Sequence, residues 1–259
     1  MVVLLTFADR KLSPTLKRIT KEAQASGFFD KILAYDDSHI RKDKEYWKRY
    51  RKLYEENSRG FGYWIWKPYL IKKTFETLVY GDILVYLDAG CEIHSNDISQ
   101  KRFDEYKEYA SKYGIVCFDH LRCFERQYCK GDLLKFMDLQ ENDDFLNSKQ
   151  TMGISILSSD SRTIEMVDKW FDISHNHFEL VNDAPSIYPN HPDFIEHRHD
   201  QSGFSILAKQ YGAKILSQIE VYPDGGDWSN MTQYPFWAKR NKVYIEEPFI
   251  YRLGKILFD

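Results

Sequence analysis

The chain opens on an unbroken apolar run, Val2-Val3-Leu4-Leu5-Thr6-Phe7, the pattern of a strand covered on both faces. Ser13-Pro14 supplies a helix cap and a first helical position, and Leu16, Ile19 and Ala23 recur at helical spacing until Gly27. Lys31 to Tyr35 reads as a second strand, closed by Asp36-Asp37. Strand, helix and strand in that order predict a βαβ unit with parallel pairing and a right-handed crossover. Residues 41–57 read as one charged helix with Tyr46, Tyr50, Leu53 and Tyr54 along a face. Arg59 to Trp66 then has two glycines and four aromatics with almost no charge, which predicts a loop. Pro68 suits the first turn of the next helix, because its missing N–H has no partner to lose there. Leu70, Ile71, Phe75, Leu78 and Val79 give that helix one buried face before Gly81-Asp82 ends it. Ile83 to Leu87 is again almost wholly apolar, and it ends in Asp88-Ala89-Gly90.

The second half continues the alternation with weaker signals. A helix is predicted near 98–112, a strand at 114–118, and a helix around Leu133 to Leu139 inside a polar stretch that is otherwise hard to assign. Gln150 to Leu157 reads as a strand, and 160–174 as an amphipathic helix through Ile164, Val167, Trp170 and Phe171. The segment 175–198 holds three prolines and four of the eight histidines, the mark of a long functional loop. A helical run with Phe204, Ile206, Leu207 and Tyr211 and a strand at 214–219 follow, and the tail from Val221 has no clear periodicity. No repeat, low-complexity tract or linker interrupts the 259 residues, so the expectation is one α/β domain. Its central sheet is expected to be mostly parallel and flanked by helices.

Composition narrows the function classes. A hydrophobic fraction of 43% with 29% charged residues is that of a globular protein, and a net charge of −3 gives no electrostatic reason to expect a nucleic-acid partner. Aromatics reach 16%, with 18 Tyr and 6 Trp, side chains whose flat faces also stack on sugars and bases. No run approaches a membrane span, and Val2 to Phe7 is too short for a signal peptide's apolar region, which predicts a cytoplasmic chain. Cys91, Cys117, Cys123 and Cys129 form no CxxC pair, so reduced thiols are expected. There is no GxGxxG after the first strand and no Walker lysine pattern, which disfavours a dinucleotide-binding site or a P-loop.

Asp88 is the leading chemical candidate. Open α/β sheets bind ligands just outside the carboxyl ends of their strands, and a carboxylate there can hold Mg²⁺ or Mn²⁺ against a diphosphate. Glu92 is a second carboxylate nearby in sequence. Lys67 sits at a helix start, where a cation opposes the helix dipole, so an anionic ligand such as a diphosphate would account for it; Arg59 is a lesser candidate for the same part. Trp64 and Trp66 alternate and would share one side of an extended segment, against core or sugar alike. His197 and His199 alternate and, with Asp200, invite a metal-site reading, but without an established third ligand the histidines read better as loop and cap residues.

The order of aromatic loop, Trp66-Lys67-Pro68, helix, apolar strand and Tyr86-Leu87-Asp88-Ala89-Gly90 resembles nucleotide-sugar-dependent glycosyltransferases of the GT-A fold. It is most like the polysaccharide and lipopolysaccharide types of bacteria and some large viruses. The likeness covers residues 1–210, with its specific motifs at 59–92 and 197–202. It implies a sugar moved from a nucleoside diphosphate donor, UDP- or GDP-linked, to a carbohydrate or lipid-linked glycan acceptor. It also implies that Asp88 stands where the family has an Asp-x-Asp motif, here with the second acid replaced by Gly90. A divalent metal would then meet Asp88, with Ala89 and Gly90 lining the donor. Thr6, Phe7 and Ala8 would take base and ribose, together with Asp36 or Asp37. Asp200-Gln201 matches an acid–amide pair that the family carries beneath the donor sugar, which makes Asp200 the catalytic candidate and Gln201 a donor contact. The rival readings are a sugar-phosphate nucleotidylyltransferase, although Ala8-Asp9-Arg10-Lys11 lacks that family's glycines, and an inactive carbohydrate-binding or scaffold protein of the same fold.

Overall fold

The computed structural model describes residues 1–245. Eight strands are assigned among them: β1 (Val2–Phe7), β2 (Lys31–Tyr35), β3 (Ile83–Tyr86), β4 (Glu92–Ile93), β5 (Ile115–Phe124), β6 (Lys149–Ser158), β7 (Lys214–Leu216) and β8 (Phe236–Trp237). Six of them form one sheet in the order β2-β1-β3-β6-β5-β7. The β1–β2, β1–β3 and β5–β7 pairs are parallel, as the βαβ reading requires, while β6 runs antiparallel to both β3 and β5. The fold is thus α/β with a mostly parallel sheet flanked by helices.

The pleat explains the apolar runs. Val3, Leu5, Phe7, Leu84 and Tyr86 point into one core, which the helices Lys44–Glu55, Trp66–Phe75, Ser161–Asn176 and His199–Gln210 cover. Leu4, Ile83, Val85 and Leu87 point into the other, which Ser13–Ser26 and Asp97–Tyr113 cover through Ile19, Ala23, Phe103, Tyr106 and Ala110. A strand buried on both faces has no polar side, which is why β1 and β3 read as continuous hydrophobic stretches. The small β4–β8 pair brings Phe236 into the second core. All four cysteines are free and buried. Among the described residues no helix is long and apolar enough to cross a membrane.

Three expectations need correction. The helix expected over 41–57 is broken at Asp43, whose carboxylate accepts from the Tyr46 N–H and starts a new helix at Lys44, leaving Asp37–Lys42 as a separate one. The helix with Pro68 is not amphipathic with a face reaching Val79. It ends at Phe75 with every residue from Trp66 to Ile71 buried, and Val79 is 69% exposed. The segment after Arg59 is not an irregular loop: Gly60, Phe61, Gly62, Tyr63 and Trp64 have φ of 58°, 52°, 77°, 53° and 61°. With N–H to carbonyl bonds from Tyr63 to Arg59 and from Trp64 to Gly60, these residues make a single left-handed turn. Each non-glycine residue held there costs about 1–2 kcal/mol, and strain of this kind is kept where the surroundings impose it.

Candidate functional site

β3 ends at Tyr86, and two residues later Asp88 leaves the sheet at its carboxyl end. Its neighbours Leu87, Ala89 and Gly90 are buried, yet the Asp88 side chain is 55% exposed, so this carboxylate faces solvent at the strand end. Beneath it lies Lys67, brought in by the buried helix Trp66–Phe75, with Nζ 3.7 Å from Asp88 Oδ1. From the other side the first turn of His199–Gln210 delivers Asp200, whose Oδ2 is 2.7 Å from the same Nζ. This close contact is an ion pair by distance, but its angles leave Oδ2 without an aligned hydrogen bond. The structure therefore gathers Lys67, Asp88 and Asp200, three candidates from distant parts of the sequence, around one point at the strand ends.

The electrostatics divide the two acids. Both Lys67 and Asp200 have side chains only 7% exposed. Burial pushes the Asp200 carboxyl above its ordinary range, and Lys67 offsets only part of that. Burial also acts on Asp88, but Lys67, the Tyr86 hydroxyl donating to Oδ1 at 2.6 Å, and the charges of Lys242 and Arg240 together hold it below the usual carboxylate range. Burial lowers the pKa of Lys67, yet Asp200 and Asp88 together keep it above the ordinary lysine value. Asp88 is the acid that holds its charge more readily here, and Asp200 the one nearer to taking a proton.

The antiparallel strand β6 completes the floor. Tyr86 pairs with Ser155, and continuing that register sets Gly153 opposite Asp88. A Cβ at Gly153 would lie 3.4 Å from Asp88 Oδ2 and 3.5 Å from Lys67 Nζ, so the missing side chain leaves the space above both groups open. Gln201 borders this floor and donates to the Thr151 carbonyl at 2.8 Å. Ala89 and Gly90 are tied down through their carbonyls, by Arg18 at 2.8 Å and by the Asn241 N–H at 2.8 Å. On β5, His120 is pushed down to about 4 by burial and by Arg198 and Arg240, so the surroundings are basic.

The other candidates occupy different settings. Thr6 is fully buried with an unpartnered hydroxyl, Phe7 stacks on Trp66 at 4.0 Å, and the Ala8 N–H donates to the Tyr35 carbonyl. Asp36 caps the helix Asp37–Lys42 in a reciprocal pair with His39. Arg59 is turned to Asp183, at 2.7 Å. Glu92 is bound by Lys239, Asn241 and His94. Among the described residues no cluster of three His, Cys, Asp or Glu side chains could hold a metal. His197 accepts from the Lys130 N–H at 3.3 Å and His199 bonds the Val181 carbonyl at 2.8 Å. Sequence reasoning missed Gly153, Asp183, Arg240 and Lys242. Only Gly153 carried a signal, because an isolated glycine inside a strand pattern marks a close approach.

No protein-family model matches the chain, and no curated protein does. Among solved structures, the apo form of mouse xyloside xylosyltransferase 1 is similar at a TM-score of 0.45 and 12% identity, over 84% of this chain and 86% of that one.

Proposed function

We propose that the protein is a GT-A glycosyltransferase, moving a hexosyl or pentosyl group from a UDP- or GDP-linked donor to a carbohydrate or lipid-linked glycan acceptor, as in polysaccharide assembly. The observation that carries this reading is the solvent-facing Asp88 at the end of a central parallel strand, set over the buried Lys67–Asp200 pair. That is where open α/β sheets place ligands. The open space over Gly153 would receive the sugar, and Arg240 and Lys242 would draw the diphosphate toward Asp88.

A divalent ion fits this donor set in one limited way. Among the described residues none donates a hydrogen bond to Asp88 Oδ2, which, as a hard oxygen ligand, would suit Mg²⁺ or Mn²⁺. With a single carboxylate the ion would be held chiefly by the diphosphate and weakly without it; when bound it would neutralise charge on the leaving group. The protein's own residues do the rest. Lys67 fixes Asp200 beneath the donor sugar, and Gln201 anchors the same helix turn to β6. Asp200, with its raised pKa, serves as the base that accepts the acceptor hydroxyl's proton.

A screen of nucleotide sugars for donor hydrolysis, with and without Mn²⁺, tests the class, the donor and the metal together. The expected outcome is turnover with one UDP- or GDP-sugar, assisted by the ion, and a rise in melting temperature with the matching nucleotide. Absence of both the turnover and the melting shift across the screen would sink the reading.

A further inference from the structure

His199 and Asp200 are consecutive on one helix, and their side chains serve different surroundings. Asp200 turns to Lys67, whereas His199 turns to the left-handed turn and the segment after Leu180. The His199 ring is 4% exposed and lies 4.9 Å from the Tyr63 ring and 5.3 Å from Trp64, stacked on the latter. Its Nδ1 is 2.8 Å from the Val181 carbonyl, so Nδ1 carries the proton. Burial lowers the imidazole's pKa, against the pull of the Val181 carbonyl and Asp183, and in the neutral ring the lone pair is on Nε2. That atom is buried and has no donor among the described residues. It faces Asp183 Oδ1 at 3.6 Å, another acceptor. The Tyr63 hydroxyl and Arg59, at 2.7 Å, hold the same carboxylate and keep it ionised.

Two acceptors set against each other need a donor between them. A buried acceptor without one is costly, while the cover over it is cheap to move: Arg59 and Asp183 are 51% and 42% exposed, and exposed ion pairs contribute little. A sugar hydroxyl meets the requirement, because its hydrogen can go to Nε2 while neighbouring hydroxyls engage Asp183 and Arg59. The backbone supports a built arrangement rather than a chance one. His199 itself has φ 50°, and Tyr63 and Trp64 belong to the left-handed turn. Strain from two separate segments converges on this one cluster.

We propose that Arg59, Tyr63, Asp183 and His199 form a second subsite, distinct from the donor floor, that binds hydroxyls of the acceptor glycan. This assignment rests on the glycosyltransferase reading, and it moves Arg59 from donor to acceptor. The probe is an array of immobilised oligosaccharides, read with the intact protein and with His199→Asn. Asparagine tolerates a left-handed φ and can still donate to the Val181 carbonyl, so the change removes Nε2, with the ring that stacks on Trp64, while the backbone and the Val181 bond are kept. The expected result is capture of a subset of glycans by the wild type and a loss of about tenfold or more in affinity for the variant, the effect of one missing hydrogen bond to a buried group. The nucleotide-induced melting shift should stay unchanged. Asp183→Asn should weaken the same glycans while the fold is retained. Undiminished capture by His199→Asn, capture of no glycan by the wild type, or equal weakening of glycan and nucleotide binding would each overturn the subsite. Failure of the donor reading looks different: no nucleotide would then shift the wild-type melting curve, whatever the array shows.

Discussion

Asp88 and Asp200 share one lysine and meet opposite conditions. Asp88 is 55% exposed and has a hydroxyl donor of its own; Asp200 is 7% exposed and depends on Lys67. One cation between two acids leaves a net negative charge, and the arrangement decides which acid bears the cost. Lys67 and the Tyr86 hydroxyl, with Lys242 and Arg240, keep Asp88 charged, so the strain of ionisation falls on Asp200. A charged, accessible oxygen suits a metal or diphosphate, and a reluctant carboxylate suits proton transfer, so one ion triad yields two different tools.

The comparison breaks most sharply at Asp200. Asp200→Asn should lower sugar transfer by about 10² to 10⁴, the usual effect of losing a general base. It should also lower the melting temperature, but by less than the loss of Lys67 would, because Lys67 keeps Asp88 at 3.7 Å. Normal turnover on a destabilised preparation would mean that Asp200 is structural only. Next in size is Lys67→Met, which strands Asp200 in the interior; removing one partner of a buried pair costs about 3–5 kcal/mol, readable by urea unfolding at neutral pH. An effect under about 1 kcal/mol would show that water already reaches Asp200.

Asp88→Asn sharpens the contrast from the other side. Its stability change should stay within about 0.5 kcal/mol, as for exposed positions, while the melting shift given by UDP or GDP should largely disappear. Equal shifts in variant and wild type would remove Asp88 from the donor site. The smallest effect is in pH. Asp88, with its depressed pKa, adds stability above the unfolded-state value near 3.8 and loses it as pH falls through the folded value. Asp200, with its raised pKa, adds stability below 3.8 and loses it as pH rises through the folded value. Acid-side unfolding titrations should therefore show Asp88→Asn falling further behind wild type as pH rises, and Asp200→Asn gaining on it. Parallel curves would mean that the two environments are alike.

The parts legible in sequence are those whose environment is uniform along the chain. β1 and β3 announce themselves because both faces are buried, and Ser161–Asn176 because one face is. The direction of β6 was not legible, since an apolar strand looks the same run either way. Asp88 and Asp200-Gln201 were named from motif likeness, but nothing in the residues said that both acids would meet on Lys67, a contact made only by tertiary packing. The left-handed turn was hidden more completely, because Phe61, Tyr63 and Trp64 have no local preference for positive φ and are held there by their surroundings. Gly60 and Gly62 were its one trace.

Those two glycines carry information of another kind. A Cβ at Gly60 would strike the Trp64 ring at 2.4 Å, and one at Gly62 would meet Tyr54 at 2.9 Å. Positive φ and lack of room exclude side chains at both places, so drift over generations cannot pass through them without remaking the turn. Most positions in the chain can wander until ancestry is unreadable; Gly60, Gly62 and the indole between Gly60 and His199 should change last.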